Sequence, residues 1–250
     1  MKKVIALLAL FCMAVYAQDT FTDPRDGKKY KSAKIGKQTW MAQNLDYHGE
    51  DGYLGLCYGD EPKKKIKKPE NCKKYGRLYD WNEAKKACPK GWHLPSDKEW
   101  QTLVDFAGGE KVAGKKLKSK SGWSEFDFFE WITALEKSMR MEKDSASYKR
   151  DPKTPKCKWE KEEIIDNRGR VKITEHDYCV TDEYGFSALP GRGGNSDGSF
   201  YNVGEVGLWW SASENSSSSA YYWGMNNDDK SADRHNDDKS SLFSVRCIKD

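Results

Sequence analysis

The chain has 250 residues, 37% hydrophobic and 33% charged, with a net charge of +4. Its 10 Trp and 13 Tyr exclude a disordered polymer. The 43 basic and 39 acidic residues are spread along the chain, which does not argue for a nucleic-acid partner, since that demands a concentrated basic face.

The first residues read MKKVIALLALFCMAVYAQ. Lys2 and Lys3 precede an apolar run over 4–15 and the pattern Val15-Tyr16-Ala17, the signature of a secretory signal peptide over 1–17, cleaved after Ala17. The run is shorter than the ~20 residues of a bilayer span. No second candidate follows, so an exported chain without a transmembrane anchor is expected. The periplasm, the cell surface and the medium are not distinguished. Lipid attachment at Cys12 is the alternative, disfavoured by the bulky Phe11 beside it.

Residues 21–45 read as a β-hairpin, with strands over 28–35 and 38–45 and a turn at Gly36-Lys37. Residues 47–74 are polar and rich in glycine and lysine, and read as a long loop. The run over 63–68 reads as solvated charge. In YGRLYDWNEAKKACPKGWHLPSDKEWQTLVDFAGGE, Asp80 with Glu83 forms a helix-capping pair, and Pro89 stops that helix. Ser96 with Glu99 forms a cleaner capping box. Trp100, Leu103, Val104 and Ala107 then follow as a core-facing stripe, ended by Gly108-Gly109. Residues 125–177 read as an insertion, helical around 128–141. From Asp182 the chain is glycine-rich β material, with strands expected at 185–188, 208–213, 220–225 and 242–248, and a polar hairpin loop over 226–239.

Once Cys12 leaves with the signal peptide, Cys57, Cys72, Cys88, Cys157, Cys179 and Cys247 remain. An even count in an exported chain reads as disulfides. Six cysteines admit fifteen pairings, and sequence alone does not choose among them. Spacing suggests Cys57–Cys72 and Cys157–Cys179 as local clips, which leaves Cys88–Cys247. The chain has no C-x-x-C spacing and its four histidines lie far apart, so no metal is expected.

The segments YGRLYDW, CPKGWHLPSDKEW, YGFSALPGRGG, GLWWSASE and SVRCIKD stand in order. Together they closely resemble the Fibrobacter succinogenes major paralogous domain, a family of exported bacterial proteins whose activity is not established. The resemblance covers 21–44, 75–123 and 182–250. It implies one domain over 18–250, with 47–74 and about 125–177 as additions of this chain. It also implies an α+β fold of C-type lectin-like architecture, with two helices and a small, mostly antiparallel sheet, and a disulfide Cys88–Cys247. GWHLPSDKEW is similar, more distantly, to the G-x-R-L-P-T-E-x-E-W stretch of the formylglycine-generating enzymes.

Those enzymes rely on reactive cysteines or a metal-bound cysteine pair near the C-terminus. Here only Cys247 lies there, and a disulfide would remove its thiolate. The chain has no G-x-S-x-G, and His93 reads as a structural side chain, so no catalytic residue is expected. The E-P-N, Q-P-D and W-N-D motifs of sugar-binding lectins are broken: Lys63 follows Glu61-Pro62, and Glu83 follows Trp81-Asn82. The oxygen-rich clusters 226–229 and 236–238 suit Ca²⁺ in chemistry but lack its loop spacing. No cofactor is therefore expected, with Ca²⁺ the disfavoured alternative. Trp209, Trp210, Tyr221, Tyr222 and Trp223 alternate in facing along their strands, so one ring of each pair is expected to point outward, suited to sugar stacking or protein contact. The expected ligand-binding region comprises Trp209, Trp210, Glu214, Asn215, Trp223 and Asn226, with the loop over 191–199. The expected function is a non-catalytic, extracytoplasmic binding module for a polysaccharide or a cell-envelope protein. A formylglycine-enzyme-like oxidase and a surface structural protein without a small-molecule ligand are the alternatives.

Overall fold

A computed structural model describes residues 18–52, 54–124, 159–165, 171–177, 180–191, 193–195, 199–200 and 203–250. The expected signal peptide, the helix around 128–141 and the clip Cys157–Cys179 lie outside the described residues.

The fold is mixed α+β. Strands β1 (Gln18–Thr22), β2 (Lys29–Ile35) and β3 (Gln38–Met41) form an antiparallel meander. Its β2–β3 turn is Gly36-Lys37, with Ile35 opposite Gln38. Helix α1 (Pro69–Tyr75), strand β4 (Leu78–Tyr79), helix α2 (Trp81–Ala87), strand β5 (Trp92–His93) and helices α3 (Asp97–Phe106) and α4 (Glu110–Leu117) follow. Among the described residues, strands β6 (Trp159–Ile165) and β7 (Val171–Asp177) pair only with each other. The chain closes with β8 (Val206–Glu214), β9 (Ser219–Asn226), β10 (Asp233–Asp238), β11 (Phe243–Ser244) and β12 (Ile248–Lys249). One five-stranded sheet has the order β1-β2-β3-β12-β5 and the other β10-β9-β8-β11-β4. Their pairings are antiparallel except β11 with β8.

Local chemistry places α2 and α3. Asp80 and Ser96 each accept from the backbone N–H three residues on, and Glu83 and Glu99 return the bond to the cap backbone, giving two complete capping boxes. The stripe of α3 then buries Trp100, Leu103, Val104 and Ala107 completely. Trp100 packs 4.8 Å from Trp40 and 6.4 Å from Trp223, ring centre to ring centre. Removing such a ring costs about 3–5 kcal/mol. A second core lies across the other sheet, with Tyr79, Trp81, Trp210, Phe243 and Val245. Disulfides Cys57–Cys72 and Cys88–Cys247 are both formed.

Several expectations need correction. The described residues hold four α-helices rather than two. Helix α1 begins inside the expected loop 47–74 and ends one residue past it, at Tyr75. Helix α4 is entered through Gly109 at φ 92°, without a side-chain cap. The stretch 226–239 contains strand β10, which pairs with β9 through its backbone while its side chains stay mostly exposed. Residues 185–188 make a single bridge, Ala188 to Lys118, in place of a strand. The strand expected over 242–248 is split, β11 joining one sheet and β12 the other. Within the expected insertion, 159–165 and 171–177 pair as strands. Among the described residues no helix is long and apolar enough to cross a membrane.

Candidate functional site

The residues expected to bind ligand do not come together. Trp209, Trp210 and Trp223 are all fully buried. Strand alternation does send Trp209 and Trp210 to opposite faces, but β8 is an inner strand whose sheet is covered on both sides. Trp209 enters the core around Trp100, and Trp210 enters the core around Phe243, 4.4 Å away. Their ring N–H groups donate to Asn44 Oδ1 at 2.9 Å and to the Tyr79 carbonyl at 2.9 Å, while Trp223 donates to Asp97 Oδ1 at 3.1 Å. No stacking platform remains on these three rings. Glu214 is exposed and pairs with Lys239 at 3.2 Å, and Asn215 donates to Ser219 Oγ at 3.0 Å. Asn226 sits opposite Val206, at the other end of the same hairpin. At ~3.3 Å per residue that end is about 25 Å from Glu214.

The oxygen cluster considered for calcium is engaged by a lysine. Lys118, 2% exposed, donates from Nζ to the carbonyl oxygen of Asn226 at 2.6 Å and to that of Asp229. Burial pushes this ammonium down to about 8, against the opposing pull of Asp229 and Asp228. The Asp229 carboxylate accepts from Ser231 N–H and Oγ–H at 3.0 and 2.8 Å. The loop approaches α4 closely because Gly114 has no side chain: a Cβ there would lie 1.9 Å from the Ser231 carbonyl oxygen. Among the described residues no group of three or more His, Cys, Asp or Glu could hold a metal ion.

His93 is occupied on both ring nitrogens, by Glu99 at 2.9 Å and Asp250 at 2.7 Å. Burial opposes charge on this ring, but the two carboxylates outweigh it and raise the pKa. Cys57, Cys72, Cys88 and Cys247 are all tied in disulfides.

A groove elsewhere gathers chemistry that the sequence scatters. It lies between the start of β2, the segment leaving β3 and the end of α1, with a volume of about 280 Å³. The Cys57–Cys72 clip anchors α1 against the loop that precedes it. Gly76, at φ +79°, lets the chain turn beneath, and a Cβ there would come within 2.6 Å of Asn44. Asn44 forms part of the floor, donating to the Tyr75 carbonyl at 2.8 Å and to Ser244 Oγ at 3.3 Å. Its Oδ1 is held from below by the buried Arg246.

Four lysines, Lys28, Lys29, Lys73 and Lys74, line the groove against one carboxylate, Asp46. That carboxylate is already neutralised, by Lys28 Nζ at 2.8 Å and Arg77 Nε at 3.1 Å. Lys29, Lys73 and Lys74 are exposed and pair with no carboxylate among the described residues. Lys73 and Lys74 occupy the last turn of α1, where the helix dipole favours cations. Sequence reasoning missed this site because each lysine pair, alone, reads as solvated charge. The signal available was the Cys57–Cys72 spacing, which draws the second pair toward the domain body.

Two sheets, two capped helices and a disulfide from the end of α2 to the C-terminal segment define a disulfide-clipped α+β domain with a cationic groove on one flank. The family model described as Fibrobacter succinogenes major domain matches residues 33–249. The chain belongs to that family. Comparison with curated proteins and with solved structures finds no match.

Proposed function

We propose that this protein is an exported, non-catalytic binding module of C-type lectin-like architecture, whose carbohydrate or protein ligand seats in the groove between β2 and α1. The observation that carries this reading is the groove itself: cations without acidic partners on its rim, above a floor fixed by hydrogen bonds and a disulfide. Its volume is near the low end for ligand sites. The lectin-like reading draws support from α2 and α3 lying in sequence, with Cys88 at the end of α2 tied to Cys247. Two disulfides, expected of a chain folded outside the cytoplasm, support export.

The test fills the groove. Gln43 is exposed on its wall, and Gln43→Trp places a ring in it, giving up only the exposed bond from Lys31 N–H to Gln43 Oε1. Immobilised polysaccharides and cell-envelope proteins are screened with the parent and the variant. The parent is expected to retain at least one ligand and the variant to lose it at an unchanged melting temperature. Retention of every ligand by the variant would refute the groove as the site.

A further inference from the structure

We infer that the ligand of this groove is an acidic polysaccharide, its carboxylates matched to the ammonium groups of Lys29, Lys73 and Lys74. The inference rests on the binding-module reading above and narrows it to one chemical class.

Charge selects an anion. Those three lysines face solvent without an acidic partner among the described residues, while Asp46 is held between Lys28 and Arg77 and presents little negative field. The row continues along β2, where Lys31 shares the solvent-facing side with Lys29. A line of cations along a strand fits successive charges on an extended chain better than one compact ion.

Lysine is a point charge on a flexible stem that attracts carboxylate and phosphate alike, so the choice among polyanions falls to the rest of the groove. Arg77, beside the groove, has its guanidinium committed to Asp46 Oδ1 and the Gly55 carbonyl. The amide of Gln43, on the groove wall, accepts from Lys31 N–H through Oε1 at 2.8 Å and keeps its N–H groups for donation to hydroxyl oxygens.

Nucleic acid is the rival polyanion, and the groove lacks what single strands require. Bases bind by stacking on exposed aromatic rings. Among the described residues lining this groove the one aromatic is Tyr30, which is 4% exposed and stacks on Phe21 at 5.6 Å. An acidic protein is disfavoured by size, because a stable interface covers about 800 Å² per partner, and this groove encloses only about 280 Å³.

Affinity electrophoresis tests the inference, with polygalacturonate, hydroxyethylcellulose or single-stranded DNA in the gel. Polygalacturonate is expected to retard the protein, hydroxyethylcellulose not to, and DNA less than the uronate. Retardation should vanish at about 0.5 M salt, where the Debye length is only a few ångströms. The variant Lys29→Gln/Lys73→Gln/Lys74→Gln should bind about tenfold more weakly, as three partly solvated ion pairs imply. The equal-charge control Lys98→Gln/Lys111→Gln/Lys120→Gln should bind like the parent. Equal weakening by the control would overturn the assignment. Binding to hydroxyethylcellulose in preference to the uronate would also overturn it, leaving the binding-module reading intact, whereas preference for DNA would overturn both. Failure of the folded protein to bind these probes, with a positive result in the broader screen above, would overturn the acidic class alone. Failure in both would remove the two together.

Discussion

Arg246 donates from Nη2 and Nε to the side-chain oxygen of Asn44, at 2.7 and 3.1 Å, and the two residues lie 202 positions apart in sequence. The same oxygen accepts from Trp209 Nε1 at 2.9 Å. Arg246 further donates to the carbonyl oxygens of Phe186 and Ser187, the latter at 3.3 Å, and its guanidinium lies 4.4 Å from the Phe186 ring centre. Burial pushes its pKa down to about 9, so the group stays charged at neutral pH. One buried cation thus joins the segment after β3, strand β8 and the 182–190 segment.

Replacing it leaves several buried oxygens without their donor, at about 1–3 kcal/mol each. Arg246→Met is therefore expected to lower the unfolding free energy by about 3 kcal/mol or more, measured from urea midpoints at constant slope. A loss below about 0.5 kcal/mol would mean that solvent or repacking satisfies those oxygens.

The two disulfides divide stability from site geometry. Cys88–Cys247 spans 159 residues of sequence and ties α2 to the C-terminal segment, whereas Cys57–Cys72 spans 15 and braces the groove. Loop-closure entropy predicts a loss of about 4–5 kcal/mol for Cys88→Ser/Cys247→Ser and about 3 for Cys57→Ser/Cys72→Ser. Thermal melts read the stability. Ligand retention should fall in Cys57→Ser/Cys72→Ser even at temperatures where that variant is fully folded.

His93 gives a pH signature. Its folded pKa lies above the ordinary value of 6.5, so the native state binds the extra proton. The associated stability is fully present below about pH 6.5 and is lost as pH rises through the folded pKa. The ring is 42% exposed, so the effect is small. His93→Gln should flatten the fall in melting temperature as pH rises above about 6.5. Ser96→Ala should cost about 0.5–2 kcal/mol at every pH, through the lost cap. An unchanged slope in His93→Gln would assign the titration elsewhere.

Lys118 gives the opposite slope. Held near 8 against an ordinary 10.5, it binds fewer protons folded than unfolded between those values. Stability from this group therefore rises with pH across that window, and Lys118→Met should abolish the rise. Because its ammonium already sits on the Asn226 and Asp229 carbonyls, adding a calcium chelator should leave the parent's melting temperature unchanged. A drop on chelation would show that a metal holds the loop.

Legibility followed the range of the interaction. Helices α2 and α3 could be read because a capping box and an apolar stripe are written within a dozen residues. The short clip could be read because its cysteines lie close in sequence. Strand β10 could not: DRHNDD has no apolar alternation, since it is an edge strand with mostly exposed side chains. The tryptophans misled for the converse reason. Trp209-Trp210 implies opposite facings but not that both faces are covered, which depends on α2 and α3 packing against β8. The groove was the least visible feature, because Lys29 and Lys73 are brought near each other only by tertiary structure.

Residues 243–249 carry one more consequence. β11 fits between β8 and β4, and β12 between β3 and β5, so a single short segment near the end of the chain supplies an inner strand to each five-stranded sheet. Neither sheet can close while that segment is still in the ribosome. The pairings β11–β8, β11–β4, β12–β3 and β12–β5 must wait for that segment, whereas the hairpin pairings β1–β2, β2–β3, β8–β9 and β9–β10 do not. A nonsense change shortly before codon 243 would leave both sheets open, with β3 and β8 as exposed edges, so proteolysis or aggregation is the expected fate of that product.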